Sequence, residues 1–396
     1  MKLKNSFERI DRLPPYVFAE VNSMKANERS FGEDIIDFGM GNPDSPTPKH
    51  IVEKLCETIK DPKSHRYSVS RGILGLRKAQ AAYYSRRFNI DLDYDKQVLV
   101  TLGSKEGLAN LASAITSNGD EIIVPNPSYP IHPYGFVIAG ASVLSLDSQP
   151  NETFLINLHK LISSKKNKVK ALVLNYPNNP TTAFASLEFF TEVVNLCLKY
   201  NVYILSDIAY SEIYFNESPP PSILQVPRAL EIAVEFSSLS KTYSMPGWRI
   251  GFAVGNNKLI AALAKIKSYL DYGAFTPVQV AGIAALNGPQ ECVNEIRKIY
   301  LNRRNTLVEG FNRIGWNMDL PLGTMFVWAP IPERFKSIGS LEFSKILLKN
   351  GKVAVAPGIG FGSKGEGFVR IGLVENEHRI RQAIKNVKIF FDTYGN

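Results

Sequence analysis

The chain has 396 residues, 44% of them hydrophobic and 21% charged, with a formal net charge of +9. That length exceeds what one compact core serves, so two or three domains and a buried site are expected. The basic balance suits anionic substrates, but the opening residues Met1 to Arg9 lack a signal-peptide stretch and no later apolar run could cross a bilayer, so a cytoplasmic protein without a membrane partner is expected.

In chain order, the first apolar alternation is Ile35-Ile-Asp-Phe-Gly39, which has no partner nearby in sequence and is assigned to a second, smaller domain. From Gln97 onward short apolar strands alternate with helical stretches, the pattern of a mostly parallel sheet covered by helices, an α/β fold. The candidate strands are Gln97 to Thr101, Glu121 to Val124, Ala171 to Asn175, Val202 to Ser206, Ala233 to Phe236 and Ile250 to Val254. Helices are expected over Lys105 to Ile115 and Leu187 to Tyr200. Lys165, Lys166, Lys168 and Lys170 precede a strand without interleaved aromatics and read as a solvated loop, so no nucleic acid partner is expected. Beyond residue 290 come a long charged helix, Glu291 to Phe311, shorter strands and a last helix, Glu377 to Phe391. The expected division is 1–47 as N-terminal arm and part of the small domain, 48–287 as large domain and 288–396 as small domain.

Cys56, Cys197 and Cys292 lie far apart in helix-like sequence and read as buried thiols, not a disulfide framework or a zinc site. The five histidines are scattered without a His-Glu-x-x-His pattern, so no metal is expected.

The chemistry centres on Lys241, in Ser237-Ser-Leu-Ser-Lys-Thr-Tyr-Ser-Met-Pro-Gly-Trp-Arg249. An exposed ammonium is no nucleophile at neutral pH, so a lysine used for imine chemistry must be fixed and desolvated. A strand delivers Lys241 to a loop, where hydroxyls and the Arg249 guanidinium can hold a phosphate beside it. In such sheets ligands gather beyond the carboxyl ends of the strands. Gly103-Ser-Lys105, Asn179, Asp207 with Tyr210, and Lys241 each follow a strand and converge there.

Asn179, Asp207, Tyr210, Lys241, Arg249 and Arg370 together resemble the signature of the pyridoxal-phosphate-dependent aminotransferases of fold type I, the aspartate aminotransferase superfamily. The resemblance covers nearly the whole chain. It includes Gly39-Met-Gly-Asn-Pro-Asp44, Tyr67 before Gly72, Gly103-Ser-Lys-Glu-Gly107, Asn175-Tyr-Pro-Asn-Asn-Pro-Thr181 and Val369-Arg370. It implies a large domain with a mostly parallel seven-stranded sheet between helices, plus a smaller α+β domain.

The roles below are what the resemblance implies. Lys241 forms the imine with pyridoxal 5'-phosphate and, once freed, moves the proton at the substrate's alpha carbon. Asp207 faces the pyridine nitrogen; at about 4 Å and an effective dielectric near 20 such a pair is worth ~4 kcal/mol and keeps the ring protonated. Tyr210 and Asn179 bond the phenolic oxygen, and Tyr129 stacks on the ring. Arg249, Ser238, Ser240 and the amides of Ser104 and Lys105 at a helix N-terminus grip the phosphate, with Gly103 permitting close approach. Arg370 pairs with the substrate's alpha-carboxylate, with the Gly41 backbone and Asn179 beside it. Tyr67 reaches the cofactor phosphate of a neighbouring subunit, which implies a homodimer with shared sites.

The implied reaction is ping-pong transfer of an amino group from an L-amino acid to a 2-oxo acid. The stretches Val124-Pro-Asn-Pro-Ser-Tyr-Pro-Ile-His132 and Pro357-Gly-Ile-Gly-Phe-Gly362, among others, look most like bacterial alanine aminotransferases pairing glutamate with pyruvate. Relatives use aspartate, methionine or diaminopimelate. Glutamate needs a cation for its second carboxylate, and Arg71 is the candidate through its closeness to Tyr67. Thr182 stands where much of the superfamily has glycine, which argues against a typical aspartate enzyme. A carbon-sulfur beta-lyase would use the same residues. A DNA-binding sensor on this fold would need an appended helix-turn-helix, for which the residues before Gly39 are too few.

Overall fold

The computed structural model describes residues 7–165 and 168–394. Its strands are β1 (Ile36–Asp37), β2 (Val98–Thr101), β3 (Glu121–Asn126), β4 (Ser142–Asp147), β5 (Val169–Asn175), β6 (Tyr203–Asp207), β7 (Ala233–Ser238), β8 (Gly251–Gly255), β9 (Phe326–Pro330), β10 (Val353–Ala354), β11 (Ala356–Pro357) and β12 (Phe368–Gly372). Seven of them form one sheet in the order β2-β8-β7-β6-β5-β3-β4. Neighbours from β7 to β4 pair in parallel, while β8 runs antiparallel to both β7 and β2. The expected mostly parallel α/β sheet is therefore present.

Both faces of this sheet are covered, which is why its strands read as continuous apolar runs rather than alternations. Val98 and Val100 join one hydrophobic cluster with Leu172, Ile204 and Phe252. Leu99, one residue out of phase, joins the opposite cluster with Ile122, Val173, Leu205 and Phe236, as the period of a strand requires. Edge strand β4, Ser-Val-Leu-Ser-Leu-Asp, was not among the candidate strands. It is largely half-buried or exposed, so its sequence carries no apolar run.

A third cluster surrounds a separate sheet of order β11-β12-β9, built from Phe311, Trp316, Phe326, Val327, Val369 and Ile371. Ile36 and Phe38 belong to this cluster, and β1 pairs in parallel with β10. The alternation around Ile36 thus finds its partner more than 300 residues later. Glu291–Arg313 and Glu377–Thr393 are the long helices, each two residues longer than expected.

Two expectations need correction. Cys197 is buried, but Cys56 is exposed and Cys292 half-buried. Cys56 shares the helix Lys49–Thr58 with buried Ile51, five positions away and so about 140° around the axis. The lysine group is not simply a solvated loop: Lys170 lies within β5 and Lys165 pairs with Glu121 at 3.1 Å, while Lys166 lies outside the described residues.

Candidate active site

The carboxyl ends of β5, β6 and β7 open onto a cleft of about 410 Å³, closed on the other side by β11, Phe326 and Arg370. Gly41, Ser104, Lys105, Tyr129, Asn179, Asp207, Tyr210, Ser238, Ser240, Lys241, Arg249 and Arg370 all line it. One chain therefore brings together every candidate site residue except Tyr67 and Arg71.

Lys241 lies in a single helical turn, Leu239–Thr242, rather than in an open loop. Ser238 starts that turn, its hydroxyl accepting the Ser240 N–H at 3.1 Å, so the serines behind the lysine are structural as well as polar. The Lys241 Nζ donates to the Gly41 carbonyl at 2.7 Å. Burial lowers the pKa of its amine to about 7, helped by the guanidinium charges of Arg370 and Arg249. A large fraction of the amine is therefore neutral at physiological pH, which an exposed lysine never achieves.

Arg370 is buried on β12 and donates from Nη1 to Asn179 Oδ1 at 2.7 Å and from Nη2 to the Gly39 carbonyl at 3.1 Å. Its Nε is buried without a hydrogen-bond partner, and desolvation lowers the guanidinium pKa to about 10. The buried cation lines the cleft, where a carboxylate would match its charge. Asn179 turns its other end to the Tyr210 hydroxyl at 3.5 Å, and burial raises the pKa of that phenol. Gly41 admits no side chain, since a Cβ there would lie 2.8 Å from the Phe326 ring.

Asp207 ends β6 and is buried. One oxygen accepts the Ala209 N–H at 3.1 Å and the other sits 3.1 Å from His132 Nε2. Sequence reading dismissed His132 with the other histidines. The available signal was its place three residues after Tyr129, in the helix Ile131–Ala139, with which Tyr129 makes an edge contact of 6.0 Å between rings.

At the other end of the cleft, the helix Ser104–Ile115 begins beside Arg249. Gly103 has φ +88°, and a Cβ on it would lie 2.3 Å from Arg249 Nη2, so only glycine lets the guanidinium reach the helix N-terminus. Arg249 itself has φ +57° and precedes β8 rather than opening it. A guanidinium, serine hydroxyls and free helical N–H groups form an anion site next to Lys241. The donor set thus fits pyridoxal 5'-phosphate: an anion cradle, an amine near neutrality, a buried carboxylate and a phenol.

Tyr67 is 86% exposed, lies 4.7 Å ring to ring from Tyr272, and does not line this chain's cleft. Arg71 donates to the Asp95 carbonyl, also outside the cleft, which removes it as a reader of the second carboxylate within one chain. Thr182 has a left-handed backbone, with φ +61°, a conformation that strains a β-branched residue. Sequence reading also missed Tyr16, Phe18, Asn22, Lys25 and Met40, which wall the cleft from the N-terminal segment.

The family described as Aminotransferase class I and II matches residues 33–387. The putative aminotransferase AatC of Rhizobium meliloti is 56% identical, the match covering 98% of this chain and 96% of the relative. The glutamate-pyruvate aminotransferase AlaC of Escherichia coli is 52% identical, covering 98% and 94% respectively. Among solved structures, a single mutant of the Thermus thermophilus aspartate aminotransferase superposes with a TM-score of 0.89 at 28% identity, covering 98% of this chain and 100% of that one.

Proposed function

Because the chain belongs to the class I and II aminotransferases, whose cofactor is pyridoxal 5'-phosphate, we propose that it moves the amino group of glutamate to pyruvate and back, by a ping-pong mechanism. The observation that carries this is the 52% identity to a glutamate-pyruvate aminotransferase over 98% of the chain. The apolar cleft wall of Phe18, Met40, Phe326 and Phe361 supports the alanine half of that exchange, since a methyl group needs no charged partner.

When bound, the cofactor supplies an electron sink for the pair released at the substrate's alpha carbon. Arg370, a buried cation lining the cleft, would bind the alpha-carboxylate and orient that carbon. Lys241, neutral near pH 7, takes the alpha proton. Asp207 would hold the proton of the ring nitrogen, with His132 Nε2 fixing the carboxylate at 3.1 Å from Oδ2. Tyr210 and Asn179 would hold the phenolic oxygen. The helix start at Ser104 and Lys105, with Arg249, Ser238 and Ser240, would hold the phosphate.

The same reading makes the protein a cytoplasmic homodimer, divided as 1–47 with 288–396 around the small sheet and 48–287 around the large one. Among the described residues no helix is long and apolar enough to cross a membrane. Exposed Tyr67, Tyr269 and Tyr272 suit a subunit contact, with Tyr67 completing the neighbouring phosphate site. A panel of amino donors against pyruvate and 2-oxoglutarate tests the substrate reading. Alanine formed from glutamate should dominate; aspartate or diaminopimelate as the fastest donor would overturn the substrate while leaving the family intact.

A further inference from the structure

The phosphate cradle rests on a buried lysine that lies outside the cleft. Lys267, on the helix Asn257–Leu270, has a fully buried side chain. Its Nζ donates to Glu106 Oε1 at 2.7 Å and to Asp271 Oδ2 at 2.8 Å. Burying an ammonium is expensive, and a simple pin between two helices could be made from apolar side chains at less cost. The partners show what the charge does here.

Glu106 carries the interaction to the cleft. Its Oε2 accepts the backbone N–H of Leu102 at 2.8 Å, and the carbonyl of Leu102 accepts Arg249 Nη2 at 3.0 Å. Both polar backbone groups of the residue before Gly103 are thus held, one by Glu106 and one by the cradle's guanidinium. Asp271 anchors the other side. Its Oδ1 accepts the Gly273 N–H at 2.7 Å, and Gly273, with φ +78°, packs so tightly that a Cβ would lie 2.4 Å from the Val69 carbonyl oxygen. Val69 lies two residues from Tyr67, whose ring meets that of Tyr272. One ammonium therefore joins the turn that starts the cradle helix to the loop packed beside Tyr67.

We propose that Lys267 is a positioning residue for phosphate recognition. Through Glu106 it fixes the Leu102 to Lys105 turn and the Arg249 guanidinium, and so sets the preference for pyridoxal 5'-phosphate over unphosphorylated pyridoxal. Without it, Glu106 and Asp271 would face each other with no counter-charge between them, and Glu106 would be held against Leu102 only by the Leu102 N–H and the Asn110 amide. The proposal rests on the reading of the cleft as the cofactor site.

The test titrates cofactor-free wild type, Lys267→Met and Lys267→Arg with pyridoxal 5'-phosphate and separately with pyridoxal, following absorbance and intrinsic fluorescence. Lys267→Met should bind the phosphorylated form at least tenfold more weakly and pyridoxal within twofold of wild type, and Lys267→Arg should recover most of the loss. Equal weakening for both ligands, or none, would make Lys267 a core pin and overturn the proposal. If Lys267→Met does not fold, Glu106→Gln keeps an acceptor for Leu102 while removing the charge that pairs with Lys267. It should show the same selective loss, and an unchanged ratio of the two affinities would overturn the proposal equally. Wild type binding neither compound would instead remove the cofactor reading itself.

Discussion

Two lysines in this molecule sit away from bulk water in opposite surroundings. Lys267 lies between helices with two carboxylates within 2.8 Å. Lys241 lies at the strand ends with a carbonyl at 2.7 Å, two guanidinium charges nearby and no carboxylate within salt-bridge distance among the described residues. Desolvation is the larger force on the Lys241 amine. The company each lysine keeps then decides whether the charge is matched and structural, as at Lys267, or further opposed, leaving a neutral amine.

The sharpest way to break this comparison is to remove the opposed lysine. Lys241→Ala should abolish turnover, a loss beyond ~10³-fold given that base and nucleophile vanish together, without loss of folding. Steady-state assays showing normal rates would end the assignment. Next in size, Arg370→Ala removes one of the charges opposing Lys241 and the partner of the alpha-carboxylate. Its kcat/KM should fall by ~2 to 5 kcal/mol in transition-state terms, for every amino acid alike. A KM change confined to one donor would place Arg370 at the side chain instead.

A third buried group sharpens the comparison from the acidic side. Glu235 on β7 is fully buried and accepts from Ser222 Oγ at 2.6 Å, the Ile223 N–H at 3.0 Å and Tyr84 Oη at 3.0 Å, yet burial raises its pKa to about 7. The folded chain then binds more protons than the unfolded one between pH 4.5 and 7. Stability from this group is full below that window and falls as pH rises through it, by about 3 kcal/mol. Glu235→Gln should flatten that slope in urea melts taken at several pH values; an unaltered slope would assign it elsewhere.

The sequence made the cleft legible and the scaffold around Lys267 illegible for one reason. Asp207, Asn179, Lys241 and Arg370 stand at strand ends in motifs whose order is specific, so each could be named before the strands were placed. Lys267 stands on an amphipathic helix with an ordinary spacing, and its partner Glu106 is 161 positions away in sequence. His132 was hidden likewise, because its contact with Asp207 spans 75 positions. Edge strand β4 escaped notice because exposure erased its apolar run, and Tyr67 could not be placed in the cleft from one chain at all.

The most direct test of the claim that burial, aided by two guanidinium charges, makes Lys241 reactive is a pH titration of that amine in cofactor-free protein, read as the rate of Lys241 labelling by an amine-specific reagent. A folded amine titrating far below an unfolded one also means that the group's contribution to stability rises with pH between the two values. Labelling should reach half its maximum at about pH 7, against an ordinary lysine's 10.5. A midpoint near 10.5 would contradict the account.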